Sequence, residues 1–287
     1  MKTKILSFGE IIWDVFGQDY KIGGAPLNFV AHAIKSGAQG FLLSAVGDDK
    51  EGQMARNELA RLKIDDRFVS TIQGKQTGRC LVSLDEKGCG QYNLLSDVAY
   101  DYIPFASELE KESFDAFSFG TLALWEKFNR KTLKKVLSFK ICKMVYFDLN
   151  LRASFYTNEL VKFGLENADI VKLNQEELDI VREMFDLNGE DKESLIKQLM
   201  ARFVNLKITL LTLAEEGSLA YERETDSFTY CDAIKTEVVS TVGAGDSFGA
   251  TFLTAFLNGK DIKTCLQEGA KRSAVVVSCV EAVPDEV

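Results

Sequence analysis

Short apolar runs alternate with helix-length segments along most of this 287-residue chain. Residues 4–8 read as a strand ending at Gly9, residues 25–35 as a helix introduced by Gly23-Gly24, residues 41–46 as a second strand and residues 52–62 as a second helix. Strand then helix, repeated, predicts a parallel sheet with helices on both faces, because parallel neighbours need a long crossover to bring the chain back. After Pro104 the alternation resumes. Strands are expected at 115–119, 144–147, 170–173 and 207–213, and helices at 127–139, 160–167, 176–184 and 192–203. An antiparallel edge pair, 218–221 with 228–230, and two helices at 250–257 and 262–278 close the chain. The expected fold is α/β over residues 1–287, a three-layer Rossmann-like, mostly parallel sheet.

The rhythm breaks between residues 68 and 102. Residues 80–84 form a strand, Asp85-Glu86-Lys87-Gly88 a turn, and residues 91–95 a return strand. This reads as a small β-lid inserted at about 15–22 and 68–103. Its alternative is an ordinary surface hairpin.

Lys plus Arg total 34 against 43 Asp plus Glu, a formal net charge of −9. A field of that sign repels nucleic acid and anionic lipid, so a phosphate-bearing ligand needs a local device to hold it. Glu10 and Asp14 interrupt the first apolar run, no small-residue cleavage site follows, and the apolar stretch at 274–277 is far too short to span a bilayer. The expectation is a cytoplasmic protein with no membrane anchor. Six cysteines (Cys80, Cys89, Cys142, Cys231, Cys265 and Cys279) form no CxxC pair and read as reduced thiols. His32 is the sole histidine, which disfavours a zinc site and reads as a packed core residue.

The sharpest chemical feature is Thr241-Val242-Gly243-Ala244-Gly245-Asp246-Ser247-Phe248, which follows an extended run and opens a helix. Gly243 and Gly245 permit a tight turn, and the amides freed at a helix start form an anion hole for a transferred phosphoryl group. Asp246 in the first turn has the chemistry of a base for an incoming hydroxyl; as a bare carboxylate it equally suits a helix cap. No Gly-Lys-Ser/Thr follows, so this is not a P-loop, and Phe248 stands where a dinucleotide fingerprint needs glycine. Gly23-Gly24-Ala25-Pro26-Leu27-Asn28 is the second feature: its glycines let a small ligand approach the backbone, and Asn28 offers an amide to hydroxyls. Asp14 can accept from two neighbouring hydroxyls. For both residues local turn and cap bonding is the alternative. Asp148-Leu149-Asn150-Leu151-Arg152 is the third, with Arg152 a candidate phosphate clamp or a surface ion pair. Asp14, Asp148, Asn174 and Asp246 all follow strand candidates and could converge at the carboxyl ends of the strands, where open α/β sheets bind ligands.

Together these residues resemble the ribokinase-like (PfkB) family of carbohydrate kinases, and the fructokinases most closely, with motifs in family order from Gly9 to the last helix. The resemblance implies an ATP-dependent kinase of a sugar hydroxyl, with D-fructose converted to fructose 6-phosphate as the first choice. Asp246 is then the catalytic base, with Gly243, Ala244, Gly245 and Asp246 as the anion hole. Asp14, Gly23, Gly24, Ala25 and Asn28 hold the sugar, and Arg152 contacts phosphoryl group or sugar. Asn174 and Glu177 match the Asn-x-x-Glu motif that organises Mg2+ and phosphates through water, and also spell a capping box. Thr212, Ala214 and Gly217 border ATP, the last helix lines adenine, and the β-lid is the surface through which family members often form a homodimer. Three departures stand out. Ser240 replaces the aspartate that helps bind a monovalent cation, which opens the question of potassium activation. Ala214 replaces a glycine, and Cys279-Val280-Glu281-Ala282 replaces a small-residue ending.

Within the class the alternatives are kinases of 2-keto-3-deoxygluconate, ribose or a nucleoside. From other classes, a non-catalytic sugar or nucleotide sensor would bind without releasing ADP, and a dinucleotide-dependent oxidoreductase is disfavoured by the failed fingerprint.

Overall fold

The strands that alternate with helices pair side by side in parallel, and two antiparallel strands finish one edge. The computed structural model describes residues 2–84 and 90–285. In chain order the elements are β1 (Lys4–Phe8), β2 (Ile12–Phe16), β3 (Asp19–Gly23), α1 (Ala25–Lys35), β4 (Gln39–Gly47), α2 (Lys50–Arg61), β5 (Val69–Ile72), β6 (Gly78–Leu84), β7 (Gly90–Leu94), β8 (Phe114–Gly120), α3 (Lys127–Ser138), β9 (Cys142–Asp148), α4 (Asn158–Asn167), β10 (Ile170–Asn174), α5 (Gln175–Met184), α6 (Lys192–Arg202), β11 (Ile208–Thr212), β12 (Ser218–Glu222), β13 (Ser227–Cys231), α7 (Ala244–Leu257) and α8 (Ile262–Val277). The main sheet has nine strands in the order β13-β12-β11-β10-β9-β8-β1-β4-β5, parallel except for β12 and β13.

Each central strand is apolar on both faces, as a sheet covered on both sides requires. In β9, Phe147 joins Phe8, Phe41, Phe117 and Phe119 on one side. Its neighbour Tyr146 points the other way, into a cluster with Phe29, Phe248 and Phe252 under α1, α7 and α8. Residues 246–255 of α7 are all buried, so this helix is enclosed on every side. Burying Phe248, Phe252 and Leu253 contributes roughly 1.5–3 kcal/mol each, and this anchors the helix start that carries Asp246.

A second sheet, β3-β2-β6-β7, is the lid. Its hairpin strands β6 and β7 pair antiparallel as expected, while the turn at 85–88 lies outside the described residues. The lid differs from the sequence expectation in two ways. Strand β2 begins at Ile12, because Ile12, Trp13 and Val15 are buried on both of its faces and no alternation marks it. Strand β5, within 68–103, instead extends the main sheet beside β4. Only Gly9, Glu10 and Ile11 join β1 of the main sheet to β2 of the lid.

Helix α7 begins at Ala244, inside the motif read as opening a helix and six residues ahead of the run 250–257. Gly245 and Gly249 are poor helix formers, and burial overrides them. The cysteines described (80, 142, 231, 265 and 279) are free thiols. His32 is fully buried and shares a 2.8 Å hydrogen bond between its Nε2 and the Ala282 carbonyl, a packed core residue as read. Among the described residues no helix is long and apolar enough to cross a membrane.

Candidate active site

The carboxyl ends of the strands bring the expected residues to one rim. Gly120 of β8 is level with Asp148 of β9, Asp148 with Lys172 of β10, and Asn174 with Thr212 of β11. Asp148 and Lys172 form a buried ion pair, with Nζ 2.9 and 3.1 Å from the two carboxylate oxygens. Burial alone would lower the lysine pKa, but the charges of Asp148 and Glu177 outweigh it and hold the ammonium protonated.

Facing this pair is the start of α7. Gly243 is the N-cap with φ 79°, a left-handed conformation, and a Cβ there would lie 2.8–3.0 Å from Ala282. A Cβ on Gly245 would lie 2.8 Å from Lys172 Nζ, so the glycine lets the ammonium lie against the helix start. The Ala244 amide donates to the Thr241 carbonyl at 3.3 Å and is spent on the turn. The amides of Gly245 and Asp246 find no protein acceptor among the described residues and keep the dipole's positive end open. Ala244 is therefore the one member of the expected anion hole whose amide is already occupied.

Asp246 does not cap its helix. It sits at the third helical position, and its Oδ2 accepts from Asn28 Nδ2 of α1 at 2.9 Å. Burial, reinforced by the Asp148 charge, pushes its carboxyl up to about 6, against the Asn28 hydrogen bond and the positive charges of Lys172 and Arg152. The Oδ1 of Asn28 is buried and has no protein partner. An acceptor and a basic carboxylate thus lie side by side.

On the α1 side, Glu10 is buried and its Oε1 accepts from the Ala25 amide at 3.1 Å, capping α1 where its N-cap Gly24 has no side chain. Burial pushes Glu10 up to about 7. Gly24 has φ 108°, and a Cβ there would stand 2.4 Å from the Glu10 carbonyl, so no other residue fits this turn. Asp14 lies within β2, level with Cys80 and Lys21, and not in the loop after the first strand. Burial raises its pKa, while Arg152 and Lys21 oppose the rise. A Cβ on Gly23 would meet Asp14 Oδ2 at 3.2 Å. Arg152 is exposed, yet close enough to lower the pKa values of Glu10, Asp14 and Asp246.

Asn174 and Glu177 form the full capping box. Glu177 does more: Oε2 accepts from the Asn174 amide at 2.9 Å and Oε1 from the Leu151 amide at 2.8 Å. It thereby ties the loop that carries Arg152 to the start of α5. Thr212 ends β11, and Ala214 to Gly217 make a short turn with the Leu213 amide donating to the Gly217 carbonyl at 2.8 Å. Ala214 adopts φ 49°, a left-handed conformation where a glycine would be at ease. Ser240 supplies a hydroxyl that accepts from the Val242 amide at 3.3 Å and no carboxylate.

Sequence reasoning missed Lys172 and Glu10. Both carried a signal. A lysine inside Ile170-Val171-Lys172-Leu173, an otherwise apolar strand, cannot be buried without a carboxylate partner. Glu10, after the first strand, was read only as an interruption of an apolar run.

A profile of the pfkB carbohydrate kinases matches residues 1–286. The chain belongs to the pfkB family of carbohydrate kinases. This kinase is 28% identical to a 5-dehydro-2-deoxygluconokinase of Bacillus licheniformis over 269 residues, 90% of this chain and 81% of that protein. Its fold is that of the fructokinase of Xylella fastidiosa solved with bound ATP, at a TM-score of 0.85, 21% identity, and coverage of 99% and 94% of the two chains. A double mutant of Vibrio cholerae fructokinase, solved with fructose, ADP and a potassium ion, overlays at 0.82 with 21% identity over 98% and 94% of the chains.

Proposed function

We propose that this kinase transfers the γ-phosphoryl group of ATP to a hydroxyl of a small neutral sugar, D-fructose to fructose 6-phosphate, with Asp246 as the base. The observation that carries the reading is a buried carboxylate, held by Asn28, beside two unbonded amides at a helix start and a protonated lysine. The acceptor hydroxyl lies between Asn28 and Asp246, and Asp14 receives its neighbours. As the oxygen bonds to the γ-phosphorus, the bond from phosphorus to the bridging oxygen breaks and ADP leaves with the electron pair. The hydroxyl proton passes to Asp246, late in the step because an alcohol is far less acidic than a carboxylic acid. The amides of Gly245 and Asp246, with Lys172, meet the charge spreading over the phosphoryl oxygens. Arg152 reaches the same oxygens from the loop that Glu177 tethers.

Among the described residues no group of three or more His, Cys, Asp or Glu side chains could hold a metal ion, and both Glu177 oxygens already accept amides. That donor set suits a magnesium ion that arrives on the nucleotide, keeps its waters, and meets Glu177 through them. When bound it would supply positive charge to the phosphates.

The carboxyl groups Glu10, Asp14 and Asp246 around the sugar position accept hydrogen bonds from a polyol and oppose an anionic substrate, which supports fructose. The curated relatives support a second reading, a sugar acid such as 5-dehydro-2-deoxygluconate, whose carboxylate would pair with Arg152. A sugar panel in a coupled ADP-release assay separates them. Fructose is expected to give the highest kcat/KM; preference for the sugar acid would move the assignment, and binding with no ADP from any sugar would remove it.

A further inference from the structure

The lid turns one face toward the rim of the main sheet, and Asp14 stands on that face. Side chains alternate along β2, so Trp13 and Val15 join Leu27 and Val30 of α1 and Leu59 of α2, while Ile12 and Asp14 take the opposite face. Ile12 shows where it looks, because it shares a cluster with Cys80 of β6 and with Leu122, which follows β8 of the main sheet. Cys80 is level with Asp14 in the neighbouring strand and points the same way.

Two loops at the carboxyl ends of adjacent strands bring aromatic rings to this face. Phe155, in the loop after β9, packs against the same cluster of Ile12, Cys80 and Leu122. It is half-buried and lies three residues past Arg152, whose carbonyl accepts from the Phe155 amide at 2.9 Å. Trp125, in the loop after β8, meets Phe155 edge to face, with 5.7 Å between centroids and 88° between planes. Both loops are fixed. Arg130 Nη1 of α3 donates to the Leu124 and Trp125 carbonyls, each at 2.9 Å, and Glu177 holds the other loop through the Leu151 amide at 2.8 Å. Trp125 is nonetheless 39% exposed. Two large rings thus stand open at the mouth where open α/β sheets take their ligands, and they leave apolar area in water that a ligand could cover. A sugar has the matching chemistry. It carries hydroxyls on its edge and C–H bonds on its faces, and the electron-rich face of an aromatic ring attracts polarised C–H groups.

We propose that Phe155, braced by Trp125, is the specificity-determining wall of the sugar site and packs on the carbon atoms whose hydroxyls Asp14 receives. This rests on the sugar-kinase reading given above. Asp14 takes the hydroxyl edge and Phe155 the C–H face beside it, so a charged or bulky substituent at those carbons is turned away.

The test is Phe155→Ala and Phe155→Tyr in the full chain, with Phe155→Leu keeping apolar bulk against Ile12 and Cys80 should the alanine variant fail to fold. D-fructose and 5-dehydro-2-deoxygluconate are the sugars used. For whichever has the higher wild-type kcat/KM, KM should rise about tenfold in the alanine variant and about threefold in the leucine variant, with KM for ATP unchanged and kcat within about threefold. Tyrosine keeps the ring and should stay within about twofold of the wild type. An unchanged KM for the sugar without the ring would overturn the proposal, and so would equal losses for sugar and ATP, the mark of a merely structural ring. A second readout needs no turnover. The chain has two tryptophans, Trp13 buried and Trp125 open, so either sugar added without ATP should change the emission of the wild type and not that of Trp125→Phe. A change that persists in Trp125→Phe, or none in the wild type at saturating sugar, would place the sugar elsewhere and overturn the proposal. The same titration runs in Asp246→Asn, so failure of the base and failure of the wall can be told apart.

Discussion

Asn28 Nδ2 donates to Asp246 Oδ2 at 2.9 Å, joining two helix starts that are 218 residues apart in sequence. The same amide group leaves its Oδ1 buried and open. One side chain therefore holds the Asp246 carboxylate and leaves an open acceptor beside it, which in the proposed mechanism orients the base and meets the sugar.

Asp246→Asn keeps the shape and removes the basicity. Its kcat should fall by about 10²–10⁴ with little change in KM. In the wild type, the carboxyl pushed up to about 6 must be ionised to act, so log(kcat/KM) should decline as pH drops through that value. Steady-state kinetics between pH 5 and 8 check both statements. Near-normal turnover by the asparagine variant would remove Asp246 from the chemistry.

Lys172→Met leaves the Asp148 carboxylate buried without its counter-ion. Unfolding should cost about 3–5 kcal/mol less than in the wild type, since breaking one side of a buried pair strands the other charge. Adding Asp148→Asn should return much of that stability but not the activity, if the ammonium serves the phosphates. Denaturant titration and turnover on both variants decide this. Recovery of turnover along with stability would make the lysine purely structural.

Ala214→Gly relieves a left-handed alanine on an exposed turn. The gain, after the extra freedom of glycine in the unfolded chain, should be about 0.5–1 kcal/mol, seen as a melting temperature higher by one to three degrees or so. A lower melting temperature would show that the turn is not strained.

Glu10→Gln tests a buried carboxyl whose folded pKa lies above its usual 4.5, at about 7. The neutral acid is compatible with burial and the carboxylate is not, so the group supports the fold below pH 4.5 and loses that support as pH rises through 7. Glutamine keeps an acceptor for the Ala25 amide and carries no charge. The variant should therefore gain stability on the order of 3 kcal/mol above pH 8, with the gain shrinking toward pH 5. Equal gains at pH 5.5 and 8.5 in denaturant unfolding would rule out the charge as cause.

The parallel core was legible because its strands, covered on both faces, read as predominantly apolar runs such as 4–8 and 170–173, and because capping residues such as Asn174 mark helix starts. The place of Asp246 in a first helical turn was legible from the two glycines that precede it. What stayed hidden was set by distant contacts. Strand β2 contains an aspartate and borrows its partners from β3 and β6. The Lys172–Asp148 pair depends on a strand register that no local pattern reveals, and Glu10 caps a helix from fifteen residues upstream.

The strap Gly9–Glu10–Ile11 gives the molecule a division of labour. In the proposed mechanism one grip on the sugar, Asp14, belongs to the small sheet, while the base and the phosphate cradle belong to the large one. A slight swing of the small sheet would alter which polyol spans the gap while leaving phosphoryl transfer untouched. Sugar preference in such a kinase can accordingly drift through changes in its cover alone, long before any residue at the rim of the large sheet is replaced.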